Sequence, residues 1–470
     1  MNRTELFARR WSALPRIFVP TLTVLTAGAA APVAYDDVIA SKADTQIVLD
    51  YLLLNDTDAD GNTLSISAVG TPSHGTLTAL GGNSYRYTPT AGYSGRDSFT
   101  YTVSDGTGGT DTGLVTISVN AAYDIAAART TILSGVTQIA DPTQPGYMGL
   151  WGPTAASISN YPGQGESRSM IATATLGAGR VVAMPDHQWL LMNNYGSQFT
   201  TGTFYQNAIS WIAGTTSKSV PIVTIDSNVA TWLTAQGYTQ VTTTNAAGLP
   251  AALASADVCI PGWLGTAPSA ALMTAVTDFV SAGNGLFICD YSPGYSWWWG
   301  KSKWDIPGSK ILREAGIAFV EDGYSGGTLT TSAAANQMPL DTLIAILTNP
   351  SGYTQAQKDL AAATLPQLLQ SLHPNDIAYA RLLACYNSAI TSITPTPSAP
   401  VTDSLQRALL DFECVQLAKQ APASMTAHRA ALPVSAGATR VTNASFSLSP
   451  PPATHYTRTI YTPFLSLIHI

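Results

Sequence analysis

The chain has 470 residues, about three domains at ~150 residues each, so it is long enough to bury several cores and too long for a small stapled scaffold. Lys plus Arg number 22 and Asp plus Glu 29, a net charge of −7, and 11% of residues are charged against ~25% in ordinary soluble domains, which argues against nucleic-acid binding by bulk charge. With 45% hydrophobic and 9% aromatic residues, the composition is that of a folding chain rather than a disordered one.

The first 31 residues read as an export signal. Arg3, Arg9, Arg10 and Arg16 precede the apolar stretch IFVPTLTVLTAGAA, which ends in small residues, and cleavage falls within Ala27 to Ala31. A buried helix is the poorer reading, because Pro15 and Pro20 interrupt it and it has no polar face. No later run reaches the ~18 apolar residues of a membrane span, so the mature chain is expected to have none and to be secreted, periplasmic or at the cell surface. Four cysteines cannot frame so long a chain. Cys385 and Cys414 lie in helical patterns where an oxidising compartment permits a pair, while Cys259 and Cys289 sit in apolar strand-like runs as buried thiols.

Residues 32–120 have period two. TQIVLDYLL, TLSISAVG, SYRYTP, DSFTYTVSD and GLVTISV are separated by Gly, Asn, Asp and Pro turns, which predicts an antiparallel β-sandwich. Asp56, Asp58 and Asp60 alternate along a turn ending at Gly61, an arrangement that lets hard oxygens converge on calcium. It is not an EF-hand, since Ser67 stands where the bidentate Glu belongs. A solvated Asx-turn cluster satisfies the same residues. The segments NDTDADGNTL and GYSGRDSFTYTVSDGTGGTDT resemble the cadherin-like, bacterial Ig-like repeats of secreted adhesins and large surface enzymes. That resemblance implies further ligands at Asp36, Asp37 and Asp105.

From 121 to 345 strands alternate with helices. VPIVTI, NVATWLTAQG, YTQVTTT, GLPAALASA, DVCIPGW, SAALMTAVTDFVSAG and GLFICDY predict a doubly wound parallel sheet with crossover helices. Upstream, SMIATATLGAGRVVAMPDHQWL reads as a hairpin turning at Gly177, followed by the helix FYQNAISWIAG. ATLGAGRVVAMPDHQWL, QNAISWI, TDFVSAGNGLFI and IPGSKILREAGIAF resemble the class I glutamine amidotransferase-like module of enhancin-like, mucin-degrading zinc metallopeptidases, of the immunomodulating metalloprotease and accessory colonisation factor type. A thiol hydrolase in this module needs a Cys on a strand-to-helix elbow and an activating His. Cys289 is followed by Asp290, Tyr291, Ser292 and Pro293 rather than a helix start, and His187 ends a strand, so a scaffold without catalysis fits better. The loop SPGYSWWWGKSKW places Tyr295, Trp297, Trp298, Trp299 and Trp304 close together, either as a platform for a glycan or glycoprotein partner or as rings packed over the sheet edge.

The segment 346–420 predicts amphipathic helices over TQAQKDLAAATLPQLLQSL, NDIAYARLLACYNSAI and SLQRALLDFECVQLAKQ, with Thr354 and Asn375 at cap positions and a Pro-rich linker at 392–400. Residues 421–464 turn strand-like; in the resembled peptidases such a stretch opens the β-rich catalytic region, and Thr457, Thr459, Ile460 and Tyr461 match it. The last six residues, LSLIHI at 465–470, are what CTG-TCT-CTT-ATA-CAC-ATC encodes, a sequencing-adaptor string, so the natural carboxyl terminus is expected to lie further on. None of His74, His187, His373, His428, His455 and His469 is followed by Glu, so no HExxH zinc helix is present, and the resemblance places zinc in the missing carboxyl-terminal domain. The expectation is the non-catalytic front of a secreted zinc metallopeptidase acting on mucin-type glycoproteins; the alternative is a self-contained calcium-dependent surface adhesin or glycan-binding protein.

Overall fold

The computed structural model describes residues 29–140, 146–160, 169–290, 303–320, 329–330, 338–391, 404–406 and 408–409. The export segment, most of the tryptophan loop, the Pro-rich linker, the strand-like stretch and the final six residues therefore lie outside the described residues. Among the described residues, no helix is long and apolar enough to cross a membrane.

The amino-terminal domain contains β1 (Asp37–Lys42), β2 (Ile47–Leu49), β3 (Ser65–Val69), β4 (Gly75–Gly81), β5 (Ser84–Pro89), β6 (Gly95–Ser104) and β7 (Thr110–Asn120). Four strands form one sheet in the order β1-β7-β6-β3, and three form another in the order β2-β5-β4. The period-two pattern is visible in β6, where Asp97, Phe99, Tyr101 and Val103 point inward and Ser98 and Thr100 outward. Phe99, Tyr101, Val115 and Ile117 from one sheet share a core with Leu49 and Tyr87 from the other. One pairing departs from the antiparallel expectation: β1 runs parallel to β7 over six register pairs, from Asp37–Val115 to Lys42–Asn120. Parallel neighbours need a crossover, and here the whole intervening domain supplies it.

Next come α1 (Ile125–Ile132), β8 (Gln138–Ile139), β9 (Tyr147–Leu150), β10 (Ala156–Asn160), β11 (Ser169–Leu176), β12 (Gly179–Met184), α2 (Met192–Tyr195), α3 (Thr201–Ala213), β13 (Ile222–Thr224), α4 (Ser227–Ala235), β14 (Val241–Thr243), α5 (Leu249–Ala252), β15 (Val258–Ile260), α6 (Ala270–Ser281), β16 (Gly285–Cys289), α7 (Pro307–Leu312), β17 (Ile317–Val320) and β18 (Leu329–Thr330). A large sheet runs in the order β14-β13-β15-β16-β12-β11-β9-β17, with β10 also paired to β11. The pairs from β14 to β12 are parallel; those from β12 to β17 are antiparallel.

Successive residues of one strand point to opposite faces, and both faces of this sheet are covered. Val182 and Met184 join Phe204, Ile209, Val229 and Trp232 in one core, whereas Val181 and Ala183 join Leu249, Val276, Val280 and Ile311 in another. That is why VVAM and GLFIC are unbroken apolar runs rather than alternating ones. Helices α1, α3 and α4 thus pack on one face and α5, α6 and α7 on the other.

The helical segment comprises α8 (Leu340–Thr348), α9 (Gln355–Ser371) and α10 (Ile377–Thr391) around Leu343, Leu365, Leu368, Leu382 and Tyr386. Thr354 caps α9 as the sequence predicts, and the structure adds Gln357 as its partner in a capping box. At α10 the residue before the helix is Asp376, not Asn375, and its carboxylate pairs with Arg313; the Asn375 carbonyl instead accepts from Asn55. Cys385 carries no disulfide and lines a cavity of about 640 Å³ with Leu347, Leu405 and Leu409, while Cys414 lies outside the described residues.

The amino-terminal domain is docked on both neighbours. Arg96 at the start of β6 forms a bidentate pair with Glu314 and reaches Asp278. Asn120, the last residue of β7, donates to the Glu314 carbonyl at 3.2 Å and accepts the Gly177 N–H at 2.8 Å. Gly177 sits at φ +57, and a Cβ there would lie 2.4 Å from the Ser281 hydroxyl, so the hairpin turn requires glycine. On the other side, Ile377 enters the core of the amino-terminal domain and Arg381 lies 3.8 Å above the Tyr51 ring.

Candidate functional site

The six candidate ligands of the amino-terminal domain, Asp36, Asp37, Asp56, Asp58, Asp60 and Asp105, follow separate hydrogen-bonding routes. Asp58 accepts the N–H groups of Asp60 and Asn62 at 2.9 and 3.0 Å, and Asp60 accepts that of Ala30 at 2.6 Å. Asp105 accepts the Thr107, Gly108 and Gly109 N–H groups and the Thr107 hydroxyl; these bonds, the Thr107 N–H foremost, lower its pKa. Asp36 holds the Leu114 N–H at 2.9 Å. The bonds at Asp58 and Asp105 are the Asx-type turns that the same sequence pattern also allows, whereas those at Asp36 and Asp60 tie distant segments together.

Asp37 and Asp56 are different because they are buried. Asp56 takes the Tyr35 N–H at 2.8 Å and the Tyr101 hydroxyl at 3.0 Å, and burial raises its pKa. Asp37 is fully enclosed and accepts the Asn55 amide at 2.9 Å. Burial, with the charges of Asp56 and Asp36 adding to it, pushes Asp37 up to about 8, against the Asn55 bond and the Arg313 charge. Asp37 Oδ2, Asn55 Oδ1 and Asp58 Oδ2 are buried acceptors with no donor in reach among the described residues. No group of three or more His, Cys, Asp or Glu side chains is placed to share a metal ion among the described residues.

Tyr295, Trp297, Trp298 and Trp299 lie outside the described residues. Trp304 is half-buried and meets the His373 ring edge-on at 5.1 Å, so it packs the sheet module against the helical segment.

Cys289, the last residue of β16, is 2% exposed. Burial, reinforced by the charges of Asp186 and Asp290, pushes its thiol far above the ordinary range, the reverse of what an attacking thiolate requires. His187 follows Asp186, which is fully buried and caps the short helical turn His187–Leu190 by accepting the Gln188 N–H at 2.8 Å. Burial also lowers the His187 pKa, with the Asp226 charge opposing, so the imidazole is neutral at pH 7.

The strand order brings two residues beside His187 that the sequence reading did not single out. Trp263 lies in the loop after β15, with its ring 5.9 Å from the His187 ring. Asp226 follows β13 and caps α4 by accepting the Asn228 N–H at 2.7 Å. The intervening Gly262 sits at φ +71 with Asp226 Cβ only 2.8 Å from where its own Cβ would be, so these two loops touch. A Gly next to a Trp immediately beyond an apolar strand was the available signal, since the carboxyl ends of parallel strands are where ligands gather.

Residues 29–118 match the family described as Bacterial Ig domain, which makes the amino-terminal domain Ig-like. Residues 111–334 match the family described as TRPM8, N-terminal domain, and the two matches overlap within β7. No curated protein matches the sequence. Among solved structures, the chain is similar to IMPa from Pseudomonas aeruginosa, determined in complex with an O-glycopeptide, at 12% identity and a TM-score of 0.36 over 65% of this chain and 37% of that one. Two endo-fucoidan hydrolases of glycoside hydrolase family 107 are also similar, both at a TM-score of 0.15: MfFcnA4 at 22% identity over 21% of this chain and 14% of that one, and MfFcnA9 at 24% over 20% and 16%. The chain thus spans well under half the length of each of these proteins.

Proposed function

We propose that this chain is the non-catalytic, amino-terminal recognition portion of a secreted zinc metallopeptidase acting on mucin-type glycoproteins, with residues 121–345 a doubly wound, amidotransferase-like scaffold. The observation that carries the reading is the combination, in one chain, of an Ig-like domain with a sheet module whose candidate nucleophile, Cys289, is enclosed and held protonated. The sequence resemblance to enhancin-like peptidases supplies the substrate class and the zinc, for which residues 1–470 hold no HExxH motif. Within the described residues, the chain's work is to hold and orient: Arg96 and Asn120 fix the Ig-like domain against the sheet module. Tyr295, Trp297, Trp298 and Trp299, which follow β16 in the sequence, are the glycan platform of this reading.

Calcium is proposed for the Ig-like domain at Asp37 and Asp56, where the Asp37 and Asn55 oxygens without donors are the groups a hard cation satisfies. Asp36, Asp58, Asp60 and Asp105 are weaker ligands in this reading, because N–H donors already occupy them.

The full chain supplied with zinc is expected to bind mucin and leave it uncut; cleavage that a chelator abolishes overturns the proposal. Calcium is expected to raise the melting temperature of the wild-type chain but not of Asp37→Asn, and equal shifts in both remove the cation site.

A further inference from the structure

We infer that the carboxyl edge of the sheet, between the loops after β12, β13 and β15, is a binding cleft for an uncharged sugar, with Trp263 as its stacking face and Asp226 and His187 as its hydrogen-bonding walls. This deepens the glycan-recognition reading and rests on it, but is carried by residues other than Trp297, Trp298 and Trp299.

The connections make the crevice. Strands β13 and β15 are neighbours, yet the chain leaving β13 becomes α4 on one face of the sheet and the chain leaving β15 becomes α6 on the other. Diverging crossovers leave an opening at the carboxyl ends of two adjacent parallel strands, the place where open α/β sheets bind ligands. Asp226 stands at the end of one of those strands and Trp263 at the end of the other. His187 reaches the same place from β12, two positions along the sheet, with β16 between.

The chemistry selects the ligand. Trp263 is 39% exposed, a large ring left open to solvent beside an imidazole whose side chain is 29% exposed. An indole face accepts the C–H face of a pyranose, and adjacent carboxylate and imidazole groups accept and donate to ring hydroxyls. The edge loops 185–191, 225–228, 244–248 and 261–269 contain no Lys or Arg, so nothing in them favours a phosphate, sulfate or sialate over a neutral polyol. The ring is also held rather than loose: Gly262 takes a left-handed conformation against Asp226, which fixes the loop that carries Trp263.

The test is calorimetric titration of the full chain with a mucin-type glycopeptide bearing a single N-acetylgalactosamine, and with the same peptide unglycosylated. The wild-type chain is expected to bind only the glycosylated form. Trp263→Ala should weaken that binding about tenfold, which is about 1.4 kcal/mol and within the range for ring stacking. Asp226→Asn, which keeps the helix cap, should weaken it by a smaller factor. Equal binding by wild type and Trp263→Ala overturns the cleft while leaving the glycan-recognition reading intact; no binding by the wild type overturns both. Should Trp263→Ala fail to fold, saturation transfer from the sugar protons to the Trp263 indole N–H of the wild-type chain decides: transfer supports the cleft, and its absence at saturating glycopeptide removes it.

Discussion

The Ig-like domain meets the rest of the molecule along two seams, and they are built on opposite electrostatic principles. Against the sheet module, Arg96 divides its guanidinium between Glu314 and Asp278, and the Asn120 side chain both donates and accepts. Against the helical segment, the Ig-like domain presents Asp37, an enclosed acid with one oxygen lacking a donor, tied through Asn55 to the Asn375 carbonyl. The first seam joins compensated charges. The second holds a carboxyl that favours its neutral form, so it weakens as the pH rises where the first does not.

The contrast is most easily broken at Arg96. Arg96→Ala strips Glu314, only 7% exposed, of its bidentate partner, and removing one partner of a largely buried pair costs several kcal/mol. With Arg96 itself about a third exposed, the expected loss is about 2–3 kcal/mol in urea denaturation, nearly constant between pH 6 and 8. A loss below about 0.5 kcal/mol shows that the seam is held by packing alone.

Asp37 sharpens the comparison through pH. Between its ordinary value of 3.8 and about 8, the folded protein keeps a proton that the unfolded chain releases. The stability this proton contributes is therefore complete below the lower value and is lost as pH rises through the upper one. In chelator, Asp37→Asn should flatten that decline and exceed the wild type at pH 8 by on the order of 2 kcal/mol. A wild-type curve as flat as the variant's contradicts the placement of a buried acid in this seam.

The smallest effect is expected at Arg381, which covers the Tyr51 ring at 3.8 Å and pairs with the exposed Asp341 at 2.8 Å. Arg381→Met keeps most of the stem packing and loses the charge, for an expected cost of about 1 kcal/mol, reduced further in high salt. An unchanged melting temperature shows that the stem alone covers Tyr51.

Much of this architecture is legible from residue order. The alternation in DSFTYTVSD gives β6, the apolar runs VVAM and GLFIC give strands of the parallel sheet, and Thr354 gives the start of α9. The parallel β1–β7 pair is not, because its partners are more than seventy residues apart and no local pattern encodes which edge the first strand joins. The acidic turn is ambiguous for a chemical reason: a carboxylate oxygen serves an N–H group or a cation equally well, and only the folded loop shows that Asp58 and Asp60 hold N–H groups. Each of His187, Asp226 and Trp263 is about forty residues from the next, and the strand order that gathers them is a property of the whole sheet.

The side-by-side course of the first and last strands of the Ig-like domain has a mechanical consequence. A pull applied between its two ends loads β1 against β7 lengthwise, so the backbone bonds across six registered pairs resist together instead of opening one at a time like a zipper. With Asn120 anchored at Gly177, that tension passes directly into the hairpin of the large sheet, and the domain acts as a stiff tether rather than an elastic one.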